Sequence, residues 1–458
     1  MNVKKKIYGD FQTPRSLASE IALVVRDLFP NPSSIVEPSS GMGAFLLASS
    51  ECFPGVPLVG FDISDDYCVA ARSLVEGASV FRADLFHVAW GDVLSGLGSV
   101  LVLGNPPWVA SSEMTQMGGF NRPRPDVALS GGVSAISGAS NFDVSEWLLV
   151  TLIGSLPDAP SRSGMAMLVK TGTARKAISF ALSRGSRVCT DARIYKIDGK
   201  RNFGVNVSCC LLYLDWNPEG DPCLGYTEFE SLSDVSGREF VFRDGRFLGA
   251  GSVFGDEVSP VSWRSGVKHD ASKVFEFSFR DGRFFNGFGE SPDLEPDLLY
   301  PLMKGSDLSK GDPPSRRVLV TQRHPGDCTD WIRQSLPKTW SYLLSHGEVL
   351  DHRGSKVYLK KPRFSMFGVG DYAFKPWKIA IAGLYKSLNF RLVGPVEEMP
   401  VQFDDTVYYM SFDTEEDARE AFDLVRSESV LARYDALIFW DDMRPVKASV
   451  LNAVDWSA

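Results

Sequence analysis

This chain of 458 residues has few histidines and cysteines and no long apolar segment. Its five histidines and seven cysteines contain no Cys-x-x-Cys pair, which argues against a structural zinc site and against a disulfide scaffold. No run approaches the ~20 apolar residues of a membrane span, and no apolar stretch of signal-peptide length follows the basic start at Lys4–Lys6. We therefore expect a cytoplasmic protein that binds no metal and does not enter a membrane.

An overall excess of basic charge is also missing, since the formal net charge is −9. Phosphate contacts dominate affinity for nucleic acid, so the total alone argues against such a partner. The charge is uneven, however, because residues 314–391 hold 14 Lys and Arg against 5 Asp and Glu, interleaved with aromatics. This pattern favours a surface that follows DNA phosphates and reads base edges, although a solvated basic face over an aromatic core is the alternative. The candidate DNA-binding residues are Arg323, Lys360, Lys361, Arg363, Lys375 and Lys378.

A strand, a glycine turn and a helix are predicted near the amino terminus. Ile35-Val36 indicates a short buried strand, and the segment 37–43 with Gly41 and Gly43 leads into a helix. This arrangement binds nucleotide-like ligands at the carboxyl end of the strand. Leu46 stands where the third glycine of the dinucleotide fingerprint would be, so pyrophosphate binding is the weaker interpretation.

Polar residues follow four successive predicted strands. Glu37, Asp62, Asp84 and Asn105 are separated by 25, 22 and 21 residues, the length of one strand and one helix. Any one of the carboxylates alone is more often a helix cap or a surface charge. Because the four residues fall at the carboxyl ends of parallel strands, they indicate a single cleft. There, Asp62 is suited to accept hydrogen bonds from ribose hydroxyls and Asp84 from an adenine amino group.

The tetrapeptide Asn105-Pro106-Pro107-Trp108 follows an apolar run and points to chemistry on an amino nitrogen. The exocyclic amine of a base is a poor nucleophile because its lone pair is delocalised into the ring. An Asn oxygen and the carbonyl of the next Pro can each accept one N–H, which favours a pyramidal nitrogen in the transition state. The prolines hold that carbonyl rigidly, and Trp108 offers a face for stacking. A plain strand-ending turn is the alternative.

With Phe11-Gln12-Thr13-Pro14, these motifs resemble the S-adenosylmethionine-dependent DNA amino-methyltransferases over about the first 215 residues. The motif order resembles their γ group, whose usual target is N6 of adenine. The resemblance implies S-adenosylmethionine as cofactor, with Glu37 near its amino group. The residues implied to bind it are Thr13, Glu37, Pro38, Ser39, Gly41, Gly43, Asp62, Ile63, Asp84, Leu85, Asn105 and Phe142.

The same resemblance implies that the target base is flipped out of the duplex and stacked by Trp108 and Phe203. Trp108 replaces the more common Tyr or Phe, and Ser39-Ser40 replaces a small residue followed by Cys. An ordinary core aromatic is the alternative for Phe203. The segment between Trp108 and Ser140 is rich in Ser, Gly and Pro and predicts a loop beside the active site.

The predicted fold is α/β, with a class I methyltransferase domain of Rossmann-like type and a seven-stranded, mostly parallel sheet in residues 1–217. Residues 218–458 are predicted to form a β-rich α+β target-recognition domain, since a Pro- and Gly-containing run follows Trp216. The hexapeptide Phe-Arg-Asp-Gly-Arg-Phe, which occurs at 242–247 and again at 279–284, predicts two hairpins.

The implied function is site-specific methylation of adenine N6 in duplex DNA. We expect a monomer, with a separately encoded restriction endonuclease as an optional partner. Three alternatives stay open. The amine can belong to cytosine N4, an RNA guanine or a protein glutamine; the chain can be a catalytically silent DNA-binding subunit; or it can be a fused restriction enzyme.

Overall fold

The computed structural model describes residues 12–109, 143–156, 161–183, 189–205, 207–243, 246–249, 262–440, 442, 444–454 and 456. Phe142 and the loop predicted between Trp108 and Ser140 lie outside these residues. The chain divides into two units, Met1–Gly251 and Ser252–Ala458.

The first unit is built on one ten-stranded sheet with the order β10-β9-β8-β6-β7-β5-β4-β1-β2-β3. Its strands are β1 (Ser34–Glu37), β2 (Leu58–Asp62), β3 (Ser79–Arg82), β4 (Val100–Gly104), β5 (Ser163–Lys170), β6 (Asp191–Ile197), β7 (Cys209–Trp216), β8 (Gly225–Phe229), β9 (Arg238–Arg243) and β10 (Arg246–Gly249). Its helices are α1 (Arg15–Leu28), α2 (Ala44–Cys52), α3 (Asp65–Leu74), α4 (Trp90–Ser95), α5 (Val144–Ser155), α6 (Thr171–Ser183) and α7 (Gly199–Phe203).

The predicted mostly parallel arrangement is confirmed for β1 to β7, although the sheet has ten strands and not the predicted seven. β1 pairs in parallel with β2 and β4, and the same direction continues to β3 and β5. Among these seven strands, β7 runs antiparallel to both of its neighbours, β5 and β6. All five residues of β4 are buried, as expected for a strand in a sheet covered on both faces. The carboxyl ends of β4, β1, β2 and β3 therefore lie side by side at one edge.

Amphipathic helices supply the layers that cover the sheet. In α1 the buried positions recur at the i, i+3 and i+4 spacing of a single helix face and comprise Leu17, Ala18, Ile21, Ala22 and Val25. They join one apolar core with Phe29 and Phe45. Burial of each large apolar side chain contributes about 1.5–3 kcal/mol, so this core fixes the sheet that carries the cleft.

The boundary predicted at residue 217 differs from the observed division after Gly251. The run after Trp216 is a connection, not a domain border, because β8 returns to pair in parallel with β6. β9 and β10 then add to β8 as antiparallel strands. These three strands extend the first sheet because their backbone groups need partners at its open edge.

The second unit confirms the predicted β-rich α+β architecture. It contains a four-stranded sheet, β11-β19-β16-β17, and a five-stranded sheet, β13-β12-β15-β14-β18. Its strands are β11 (Arg264–Ser265), β12 (Glu276–Arg280), β13 (Arg283–Phe285), β14 (Leu299–Met303), β15 (Arg316–Leu319), β16 (Trp377–Ala382), β17 (Arg391–Val393), β18 (Gln402–Phe403) and β19 (Val407–Phe412). Its helices are α8 (Ser272–Phe275), α9 (Gly305–Lys310), α10 (Trp331–Ser335), α11 (Pro337–Ser345), α12 (Gly347–Asp351), α13 (Glu415–Val425), α14 (Glu428–Leu437) and α15 (Ala448–Leu451).

Both copies of the repeated hexapeptide form antiparallel hairpins, as predicted. In β9–β10, Phe242 pairs with Phe247 and Arg243 with Arg246. In β12–β13, the partners are Phe279 with Phe284 and Arg280 with Arg283. The copies thus share one register although they belong to different units.

Candidate active site

The glycine turn after β1 is a tightly constrained segment. Gly41 and Gly43 have φ of +50° and +85°, a region that glycine adopts at little cost. A Cβ on Gly43 would stand 3.1 Å from the Ala71 Cα atom, so a side chain there would also be crowded by α3. The Gly41 N–H donates to Asp62 Oδ2 at 2.9 Å, and the Met42 N–H donates to Gln12 Oε1 at 3.1 Å. The turn is therefore held from β2 and from the segment before α1.

Glu37 lies beneath this turn and is almost fully buried. Its Oε2 accepts the Leu46 N–H at 3.1 Å, so the carboxylate satisfies a main-chain donor in the first turn of α2. Burial raises the pKa of Glu37 well above its usual range; the Leu46 hydrogen bond acts in the opposite direction, and nearby Asp62 raises the pKa further. The observed role of Glu37 is to support the turn, and its contact with a cofactor amino group stays a prediction.

Asp62 and Asp84 stand at the ends of β2 and β3 and are each oriented by main-chain donors. Asp62 Oδ1 accepts the Ser64 N–H at 2.8 Å, in addition to the bond from Gly41. Asp84 Oδ1 accepts the Phe86 N–H at 3.1 Å, while Oδ2 lies 2.7 Å from Nδ1 of His87. These bonds restrict each carboxylate to one direction, as a binding site requires.

A cleft at this sheet edge brings the predicted residues together. Its walls combine two carboxylates and a serine with apolar side chains, namely Pro38, Ser39, Asp62, Ile63, Ala83, Asp84, Leu85, Phe86, Pro107, Val109 and Val144. Six of the predicted cofactor-binding residues are in this set. Carboxylates suit hydroxyl and amino donors, and the apolar walls suit a purine ring and a thioether chain. The lining therefore fits S-adenosylmethionine.

Asn105 is oriented from two sides at the end of β4. Its Nδ2 donates to Thr13 Oγ1 at 3.2 Å, and its main-chain oxygen accepts from Ser39 Oγ at 3.1 Å. Because Thr13 binds the amide nitrogen, the side-chain oxygen points away from Thr13. Pro106 is buried, while Pro107 belongs to the cleft wall. Thr13 therefore orients the first side chain of the tetrapeptide by a direct hydrogen bond.

Trp108 and Phe203, both predicted to stack on a target base, contact each other. Their ring centroids are 5.2 Å apart with an edge-on angle of 67°. Trp108 is 6% exposed, and its indole N–H donates to the Leu168 carbonyl at 3.1 Å. Phe203 is half-buried at the end of α7, which Gly204 terminates with φ +69°. The structure thus supplies an aromatic pair in which Phe203 is the more accessible ring.

Several residues at the site were not assigned from sequence. Gln12 holds the glycine turn, Val109 and Val144 line the cleft, and Phe86 packs edge-on against Trp147 at 4.8 Å. Their residue types carry no distinctive signal, so only position reveals them. Only Gln12 could have been assigned to the site from sequence, since it lies within the motif that includes Thr13.

The basic residues predicted in the second unit have different environments. Lys360 and Lys361 are exposed. Arg363 forms an ion pair with Asp351 at 2.7 Å, Lys375 pairs with Asp413 at the same distance, and the Arg323 guanidinium lies 4.6 Å from the ring centroid of Phe374. Arg363 and Lys375 are therefore already engaged by carboxylates.

The prediction that Lys378 binds DNA is wrong. Its side chain is 0% exposed within β16, and its Nζ donates to the carbonyls of Ala373 and Val401. Burial lowers the pKa of Lys378 to about 7. The buried amino group of Lys378 cannot reach a DNA phosphate.

Within the described ranges, no group of three or more His, Cys, Asp or Glu side chains is placed to hold a metal ion. None of the helices in the described part of the chain has the length and apolar composition of a membrane span.

The comparisons with known proteins agree with this geometry. No family model matches the chain. The Type II methyltransferase M.NspV of Nostoc sp. is 38% identical over 98% of this chain and 96% of its own length. The structure of the Type IIL restriction-modification enzyme MmeI in complex with DNA aligns with a TM-score of 0.52 and 13% identity, covering 86% of this chain and 59% of that one; this likeness shows the fold alone. With its cofactor cleft and Asn-Pro-Pro-Trp segment, the chain belongs to the Type II methyltransferases, the S-adenosylmethionine-dependent DNA methyltransferases of restriction–modification systems.

Proposed function

We propose that this enzyme methylates the N6 amine of an adenine that is flipped out of duplex DNA. The observation that carries the proposal is the position of Asn105, which follows β4 directly and is oriented by Thr13 beside the cleft wall at Pro107. This arrangement supports the assignment of Asn105, Pro106, Pro107 and Trp108 to catalysis.

When bound, S-adenosylmethionine supplies an activated methyl group. The Asn105 side-chain oxygen and the Pro106 carbonyl would each accept one N–H of the target amine. These bonds become stronger as the nitrogen turns pyramidal, so they stabilise the transition state more than the ground state. The proton leaves to solvent after transfer, and the protein needs no dedicated general base for this step.

The proposal includes base flipping, because Asn105 is partly buried at the end of β4. A paired base cannot reach Asn105, and extruding it costs a few kcal/mol. Phe203 would offset part of that cost by stacking on the extruded base, with Trp108 supporting it from the side. Their edge-on contact at 5.2 Å supports a shared role.

The two units would divide the work. The first would bind S-adenosylmethionine and catalyse transfer, and the second would bind duplex DNA and select the site. We further propose a cytoplasmic monomer that protects DNA against a separately encoded restriction endonuclease.

The test is transfer of a labelled methyl group from S-adenosylmethionine to unmethylated duplex DNA, followed by mass spectrometry of the nucleosides. N6-methyladenine is the expected product. N4-methylcytosine would retain the mechanism and correct the base, whereas labelled RNA or protein without labelled DNA would contradict the role of the second unit.

Asn105→Ala tests the catalytic residue, and Asn389→Ala, at an exposed site in the second unit, is the matched control. We expect Asn105→Ala to lower kcat by about 100- to 1,000-fold, as for other lost transition-state acceptors or donors, with cofactor affinity retained in calorimetry. Normal turnover in Asn105→Ala would refute the assigned role.

A further inference from the structure

The second copy of the repeated hexapeptide forms a hairpin tip that the proposed mechanism does not use. Asp281 and Gly282 join β12 to β13 with φ of +47° and +75°. Positive φ at both central residues identifies the turn type whose twist matches paired strands. The flanking residues are therefore held at fixed positions.

Arg280 and Arg283 face each other directly across this turn, and both are exposed. Like charges directly opposite each other in an antiparallel pair are destabilising. Within the described residues neither arginine forms an ion pair, and the turn residue Asp281 does not pair with them either. The tip thus maintains a repulsive pair that an anion would relieve.

The surface beside the tip is also basic. A groove runs from Arg280 past Ser278 to Lys273 and Arg316. Lys273 is exposed, and among the described residues it has no carboxylate partner; its Nζ lies 5.6 Å from the ring centroid of Phe288. Arg316 already pairs with Asp307 at 2.8 Å.

The carboxylate in this groove does not neutralise these cations. Glu276 Oε2 lies 2.5 Å from Lys304 Nζ, and Oε1 lies 3.4 Å from His269 Nε2. Although burial acts in the opposite direction, His269 and Lys304 keep the pKa of Glu276 below its usual range. Its charge is thus already balanced, which leaves Lys273, Arg280 and Arg283 available.

We propose that Lys273, Arg280 and Arg283 bind the phosphate backbone of duplex DNA and position the second unit on it. The inference rests on the proposed DNA substrate and adds a surface outside the basic segment 314–391. Arg280 and Arg283 lie side by side at the end of a fixed hairpin, and Lys273 lines the groove beside Arg280, while the apolar pair Phe279 and Phe284 occupies the other face of the strands.

The test compares three variants of the full chain by salt titration of fluorescence anisotropy on a labelled mixed-sequence duplex. Lys273→Gln/Arg280→Gln/Arg283→Gln removes the three charges. Lys310→Gln/Arg419→Gln/Arg426→Gln removes three exposed charges elsewhere in the second unit, and Arg280→Lys/Arg283→Lys keeps the charge at the tip.

We expect the plot of the logarithm of the DNA association constant against the logarithm of salt concentration to become less steep in the first variant. The magnitude of its slope should fall by about 2.7, since each phosphate contact contributes about 0.9. The other two should match the wild type, and the methylated sequence should stay the same in all. The melting temperature of the first variant should be equal to or above that of the wild type, because a repulsion is removed.

Equal slopes for the first and second variants would overturn the inference, and so would a change in the methylated sequence, which would indicate base reading. In either case wild-type methylation of DNA would leave the proposed function intact. A wild-type protein that neither binds nor methylates duplex DNA would overturn both.

Discussion

Replacing Lys378 by methionine should remove a pH-dependent destabilisation of the second unit. The side chain is fully buried, and burial lowers the pKa of Lys378 from 10.5 to about 7. Between these two values the unfolded chain binds more protons than the folded one, so the free energy of unfolding rises as pH increases. This lysine therefore destabilises the fold most at and below pH 7, and less as pH approaches 10.

The magnitude follows from the two pKa values. Full titration of one group changes the free energy by about 1.4 kcal/mol per pH unit, and the folded lysine is half protonated at pH 7. Its contribution to the free energy of unfolding thus increases by about 2 kcal/mol between pH 7 and pH 9. Lys378→Met lacks this change, so its stability relative to wild type should be about 2 kcal/mol higher at pH 7 than at pH 9.

The assay is urea unfolding of both proteins at pH 7 and at pH 9. The variant also loses the hydrogen bond to Val401, although Gln402 still donates to the Ala373 carbonyl at 2.7 Å. That loss acts equally at both pH values and cancels in the comparison. A relative stability that does not change with pH would refute the reasoning, as would a loss of DNA affinity in a variant that remains folded.

Two further predictions concern the first unit. Asp62→Ala removes the acceptor of the Gly41 N–H and the proposed acceptor of the cofactor ribose. The Kd for S-adenosylmethionine in calorimetry should therefore rise by about 10-fold or more, since hydrogen bonds to charged groups contribute roughly 1.5–3 kcal/mol. Asp66→Ala, at an exposed position of α3, should leave that Kd unchanged. Phe203→Leu should raise the KM for DNA several-fold without altering the cofactor Kd, because stacking contributes about 1–3 kcal/mol per base; an unchanged KM would argue against stacking on the extruded base.

The position of the cleft could be predicted because the polar residues are regularly spaced along the sequence. Glu37, Asp62, Asp84 and Asn105 lie at or just after the ends of four parallel strands, which bring those ends to one edge. Asp62 and Asp84 line the cleft, whereas Glu37 supports the glycine turn and Asn105 is held by Thr13. The support beneath the cleft could not be predicted. The bonds from Asn105 to Thr13, 92 residues away, and from Ser39 to Asn105, 66 residues away, depend on tertiary packing that no local pattern encodes.

The second unit was predicted less well because charge counts do not report burial. Lys378 lies in the run Trp377–Ala382, of which five residues are buried, and a count of basic residues does not show that this run is a buried strand. Arg363 and Lys375 form ion pairs with Asp351 and Asp413. These partners are so distant in sequence that the pairs could not be predicted from it. The aligned arginines of the second hairpin were recognised only as part of a repeat.

The continuation of the first sheet through β8, β9 and β10 sets a rule for building hybrid enzymes. A recombinant junction placed after Trp216 would transfer these strands with the donor's carboxyl-terminal part and leave β6 to pair with foreign strands. An edge without its proper partner presents open backbone groups and invites aggregation. Exchange of the second unit should therefore begin beyond Gly249, so that each parent sheet stays whole.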